Sequence, residues 1–469
     1  AALTVAWNDA EKRDPHSPMN WPPKKKWANI AVISIISFLI PLASSMVAPA
    51  AETIMADFQL NSTTFPSFVV SIFVLGFACG PLLLAPLSET FGRVVVYHAT
   101  NVFFVIFTIV CALSRNKAML LSFRFLSGFA GVATITIGPA TIADIMSREK
   151  RGRAVSIWAV GTVVGPMVGP IYGGYVTQVL GWRWIFWIIS IVFGCLTIIA
   201  CGVLRESYAP VLAKRKIAQA RKETRNRNYI STAASKPEIK SLFVRSILRP
   251  IKMLVFCPIV TLMCLYIAMI YALNYLFFAT FSIIFRESYG FSTFESGLVF
   301  IAIGIGTLFG LLYLGCFSDR ALKKSTNTGK AAVPEDRLPL LITLPGALTF
   351  PLGIFIYGWG VEYHMHWAVP QLGTAFTGFG YILLFTGIQT YLIDAFEEYA
   401  ASVNCANAVL RGLAGALVPL SGLDLYNALG LGWGNSLLAF VALAFTPLLW
   451  IFSVYGARIR ASKFIKYEI

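Results

Sequence analysis

About twelve apolar runs of some twenty residues recur along a 469-residue chain of which only 13% is charged. A helix crossing a bilayer needs ~20 consecutive apolar residues. Within lipid, a backbone can satisfy its own polar groups only as a helix or a closed barrel. Runs of this length are therefore read as helices. The expected fold is an all-α membrane protein with twelve transmembrane helices. With a hydrophobic fraction of 57% and a mean hydropathy of +0.71, an ordinary globular enzyme is excluded. Such an enzyme would carry about twice this share of charge.

The net charge of +16 comes from 38 Lys+Arg against 22 Asp+Glu. Taken alone it would suggest nucleic acid, but the distribution argues for a membrane. Arg115, Lys117, Arg183 and Arg286 fall on one side of the expected layer. Arg124 and Arg411 fall within helices, leaving 32 basic residues for the other side. That asymmetry is the positive-inside pattern, which places both termini in the cytoplasm and the basic patch against anionic headgroups. The eight cysteines lie in or beside apolar runs, with no metal or disulfide spacing. They read as small packing residues.

The fifth apolar segment carries Gly161, Gly165, Pro166, Gly169, Pro170, Gly173 and Gly174. Glycine at a spacing of four lies along one slowly turning helix face, where a neighbouring helix can approach closely. In water each Gly would cost about 1 kcal/mol against Ala and each Pro about 3. The reading is a packing ribbon, at a surface that slides or bends during transport. This string resembles the antiporter motif of the drug:proton antiporters in the major facilitator superfamily.

Other stretches carry the same resemblance. Pro18-Met-Asn-Trp21 is similar to a fungal entry sequence, with Ser17 where Asn is usual. After segment 2, Pro86-Leu-Ser-Glu89-Thr-Phe-Gly92-Arg93 matches part of the family's cytoplasmic signature. Ala85, Glu89 and Thr90 stand where that signature has Gly, Asp and Arg. Asp319 and Arg320 follow segment 8 at the matching place, which supports two six-helix bundles by duplication. The expected organisation is a tail over 1–26, a bundle over 27–204, a basic linker over 205–252, a bundle over 253–457 and a tail over 458–469. Within the linker, Lys214 to Arg227 reads as a basic surface helix. Segment 7 is expected from Leu254 to Phe285, interrupted at Pro258 and Asn274. Segments 11 and 12 are expected over 398–420 and 433–455. Asn61-Ser-Thr63 is a glycosylation sequon in an expected outer loop.

Soluble catalytic patterns are absent: there is no Gly-rich phosphate loop, no Gly-x-Ser-x-Gly and no paired His for zinc. No enzyme activity, cofactor or metal is expected. None of the 22 acidic residues falls in mid-helix, yet Arg124 and Arg411 do. Charge at that depth is costly and marks function. Asn404, Asn407 and Arg411 share one helix face. Ser44, Ser45, Tyr271, Asn274, Phe278, Tyr381 and Gln389 complete the candidate substrate residues, on helices that the resemblance places around the cavity. His98 reads as a buried hydrogen-bonding residue rather than a proton carrier. Asp144, with Glu89, Arg93, Asp319 and Arg320, is the candidate coupling and gating set.

The resemblance implies a fungal plasma-membrane exporter that works by alternating access and proton antiport. The expected partners are a small-molecule substrate, protons and membrane lipid, without nucleic acid, for a monomer. Amphipathic neutral or anionic compounds fit a chain that lacks a central carboxylate, and polyamines do not. A facilitator without proton antiport and a transporter-like sensor are the alternatives.

Overall fold

The computed structural model describes residues 3–5, 17–62, 64–215, 229–231, 239–327, 340–396 and 399–461. Eleven helical runs among the described residues are long and apolar enough to cross a membrane. In the first half α1 spans Pro23–Ser45, α2 Phe65–Phe91, α3 Arg93–Ala112 and α4 Lys117–Ile145. They are followed by α5, Arg148–Leu180, and α6, Arg183–Val203. In the second half α7 spans Pro258–Tyr289, α8 Thr293–Phe317, α9 Leu340–Glu362 and α10 Ala368–Ala395. The last helical run, Ser402–Ser453, is 52 residues long. At 1.5 Å per residue it would measure about 78 Å, far beyond a hydrocarbon core of about 30 Å. Gly430, at φ +75°, breaks it into two crossings. We take α11 from Ala400 through the 3-10 turn Val418–Ser421 to residue 429, and α12 as residues 431–461.

Buried apolar side chains form two large clusters, one within residues 21–204 and one within 253–452. A smaller cluster joins Leu314, Ile342, Ile382 and Leu383. Helices in lipid gain little from burying apolar area against each other, so close packing and hydrogen bonds hold the bundles. The glycine ribbon shows how. A Cβ at Gly165 would lie 2.5 Å from the Phe38 carbonyl oxygen, and one at Gly169 2.5 Å from that of Leu42. Both contacts are with α1, inside the first bundle. Pro170 has no N–H to offer the carbonyl of Pro166, and the Ser45 hydroxyl on α1 donates to that carbonyl at 2.8 Å.

Among the glycines of the ribbon, Gly174 is the one that meets the second bundle. On the face away from the chain ends, a Cβ at Gly174 would sit 2.6 Å from the Thr293 carbonyl oxygen. One at Gly297 would sit 2.5 Å from that of Pro170. The Phe294 amide donates to Gln178 Oε1 at 2.9 Å, and Arg286 pairs with Glu52 at 2.9 Å. These contacts between α5, α8, α7 and the short helix Ala51–Asp57 seal the distal face.

Several expectations change. Asn274 does not interrupt α7, which begins at Pro258, a residue tolerated in a first turn. The end of the linker is a separate amphipathic helix, Ile239–Phe256, packed on α2 and α11. The α11–α12 connection is a single glycine rather than a loop of a dozen residues. Residues 216–227 of the expected basic helix lie outside the described residues. So do the side chains of Asp319 and Arg320. Leu3–Val5 pairs in parallel with Tyr229–Ser231, a minor exception to the all-helical fold.

Candidate functional site

A cavity of about 120 Å³ lies between the two bundles. Spacings of three and four on α7 turn Tyr271, Asn274, Tyr275 and Phe278 toward it. Their rings form a ladder, with centroids 4.8 Å apart for Tyr271–Tyr275 and 5.7 Å for Tyr275–Phe278. From α10 come Tyr381, Ile382 and Phe385. The first bundle adds Phe77, Ile135, Pro166 and Met167 among others. Arg411 of α11 is the one charged residue of this wall among the described residues, its guanidinium 5.1 Å from the Tyr271 ring and 5.4 Å from that of Phe385. No Asp or Glu among the described residues lines the cavity.

Of the residues singled out from sequence, Tyr271, Asn274, Phe278, Tyr381 and Arg411 meet here. Gln389, Asn404 and Asn407 lie one to two helical turns nearer the face that carries the chain ends. Gln389 Nε2 donates to Asn404 Oδ1 at 2.8 Å, and Asn407 Nδ2 donates to Gln389 Oε1 at 3.3 Å. The buried Oδ1 of Asn407 has no hydrogen-bond partner among the described residues.

Ser44, Ser45 and Arg124 stand outside the cavity wall, and their chemistry explains why. Arg124 is 1% exposed. It donates from Nε to the Val69 carbonyl at 3.1 Å, from Nη1 to Ala43 at 3.1 Å and from Nη2 to Ser44 at 3.0 Å. The rings of Phe73 and Phe186 flank it. These bonds engage all three of its nitrogens and tie α4 to α1 and α2. Ser45 serves Pro166 as described. Ser44 donates to the Pro41 carbonyl at 2.7 Å and faces the Tyr275 hydroxyl from behind the wall.

A second polar cluster occupies the face with the chain ends. Arg93 opens α3 after Gly92, at φ +105°, and its Nε lies 3.5 Å from Asp144 Oδ2. Its Nη1 donates to Ser88 Oγ at 2.6 Å, and its guanidinium lies over the Tyr208 ring. Ser207 Oγ donates to Asp144 at 3.4 Å. Glu206 accepts from the amides of Arg93 at 3.0 Å and Val94 at 3.3 Å, capping the positive end of α3. It also accepts from the amides of Ser207 and Tyr208. Glu89 is exposed beside this group. Glu206 was not among the residues singled out from sequence. An acid directly after an apolar helix, in a chain with few acids, was the available signal. All these residues belong to the first half of the chain.

This is a transporter architecture: two helical bundles around a central cavity. The chain belongs to the Major Facilitator Superfamily, whose family model matches residues 33–419. It is 47% identical over 460 residues to the efflux pump radE of Floropilus chiversii, covering 97% of this chain and 85% of that protein. It is 46% identical to the MFS-type transporter penM of Penicillium rubens, covering 98% and 89%. The MFS transporter cpaT of Aspergillus oryzae is 44% identical, covering 99% and 93%. The fold matches a D-xylose–proton symporter at TM-score 0.67 and 17% identity, over 91% of this chain and 97% of that one. It also matches a bacterial homologue of the human lysosomal transporter Spinster at TM-score 0.64 and 14% identity, over 94% and 98%. The protein is a multi-pass membrane transporter of fungal type, not an enzyme.

Proposed function

We propose that the protein exports amphipathic neutral or anionic small molecules, including drugs, secondary metabolites and organic acids, across the fungal plasma membrane. It works as a monomer with both termini cytoplasmic, by alternating access coupled to proton antiport. The observation that carries this reading is the aromatic cavity, closed toward the distal face and approached from the other by the Gln389–Asn404–Asn407 amides. The likeness to a named efflux pump supports the direction. The bundles over 27–204 and 253–457 are the moving bodies, and the 205–252 linker joins them. Tyr271, Asn274, Phe278, Tyr381 and Arg411 bind substrate, and Gln389, Asn404 and Asn407 line its approach. Asp144 carries the proton, held between Arg93 and Ser207, while Glu89, Asp319 and Arg320 gate the cytoplasmic face.

The test uses purified protein in liposomes with an imposed pH gradient. Acid on the distal side should drive uphill substrate movement toward that side. Asp144→Asn should abolish uphill movement while downhill exchange survives. Wild-type transport indifferent to the gradient would remove proton antiport. The facilitator reading would then replace it, a reading favoured by the absence of a carboxylate from the described cavity wall.

A further inference from the structure

The cavity holds a cation without an anion. Arg411 forms no ion pair or hydrogen bond among the described residues; its recorded neighbours are the faces of Tyr271 and Phe385. Rings favour the charge but accept no conventional hydrogen bond, so the planar fork of N–H donors has no protein acceptor. The backbone that carries it is pinned. A Cβ at Gly412 would meet Ala78 of α2 at 2.7 Å, and one at Gly415 the Tyr271 ring at 2.9 Å. Arg124 shows what a structural arginine looks like in this fold: a carbonyl accepts from each of its three nitrogens, and it does not line this cavity. Arg411 is the opposite case.

Around that fork the wall is flat and apolar, with Phe77, Phe278, Tyr381, Phe385 and Met167. Asn274 offers an amide on α7. The amides of Gln389, Asn404 and Asn407 continue along α10 and α11 beyond the cavity. We propose that the transported species is a monoanion with an aromatic body, a carboxylate or an ionised phenol or enol, whose charge is received by Arg411. This deepens the export reading above and rests on it.

The probes are 2-naphthoate, its methyl ester and 2-naphthylmethylammonium, which share one ring system and differ in charge. Binding to purified wild-type protein should favour the carboxylate over the ester by about tenfold or more, as expected for a charge-assisted pair, with the ammonium weakest. Arg411→Gln should bring the carboxylate-to-ester ratio close to one, and Arg411→Lys should keep part of it. Lowering pH through the probe's own pKa should erase the preference in wild-type protein, a readout that needs no variant to fold. Equal binding of carboxylate and ester by wild type overturns the proposal. So does a preference that survives Arg411→Gln, or naphthoate that fails to bind at millimolar concentration. Counterflow in proteoliposomes separates the two readings. Selective naphthoate binding without exchange of either probe would sink export and keep the anion site. Exchange of both probes without selectivity would do the reverse.

Discussion

Two arginines at membrane depth show how surroundings decide what one side chain does. An arginine at the centre of a helix costs roughly 2.5–3.5 kcal/mol on insertion scales, so each must be compensated. Arg124 is compensated by three carbonyl oxygens and two rings, which makes it a clamp. Arg124→Gln strands those acceptors in a dry site, at about 1–3 kcal/mol for each buried group left unpaired. We expect a marked fall in thermal stability in detergent, with the carboxylate-to-ester preference of the surviving protein unchanged. Stability equal to wild type would refute the clamp. That both arginines matter was legible from their depth. Which one faces a cavity was not, because the acceptors come from Val69, Ala43 and Ser44, distant in sequence. Glu206 escaped notice for the same reason, since its partners Arg93 and Val94 open a helix more than a hundred residues earlier.

Among the elements, α5 has two faces with different duties. Gly161, Gly165, Gly169 and Gly173 seat it against α1 within one bundle, and Gly174 meets α8 of the other. A branched side chain should therefore fail differently at each end. Gly165→Leu should lower the amount of folded protein, because the α1–α5 contact belongs to a bundle interior. Gly174→Leu should spare folding but obstruct closure of the distal face, so a cysteine placed near Gln178 should label faster from that side. Equal labelling with and without Gly174→Leu would show that the contact is not part of the seal. The ribbon itself was plain in the sequence, since glycine at a spacing of four speaks directly of close approach. Its direction was not, because a slowly turning stripe fits a neighbour in either bundle. The aromatic stripe of α7 was half visible: Tyr271 and Phe278 stood out, while Tyr275 between them shares their face and went unnoticed.

For the whole molecule, the anion reading alters the energetics of export. A negative charge leaving a cell that is negative inside gains about 2.3 kcal/mol per 100 mV before any proton moves. Clamping the potential to zero in liposomes should therefore slow efflux of 2-naphthoate more than that of its methyl ester. An identical slowing of both would contradict net charge movement with the substrate. The twelve-helix count and the paired halves were readable from hydropathy and from the Glu89 and Asp319 signatures, because lipid leaves the backbone few choices. Less predictable was the join at Gly430, where Glu362 accepts from the amides of Leu431 at 2.8 Å and Gly432 at 3.1 Å and caps α12 directly. A one-residue join leaves no slack, so any tilt of α11 must carry α12 with it. Trp433, Phe440 and Trp450 project outward from that helix. Each turnover must then drag a rough aromatic paddle through acyl chains, and the bilayer becomes a brake. Turnover should fall as the lipid is made more viscous, and inserting three glycines after Gly430 should weaken that dependence.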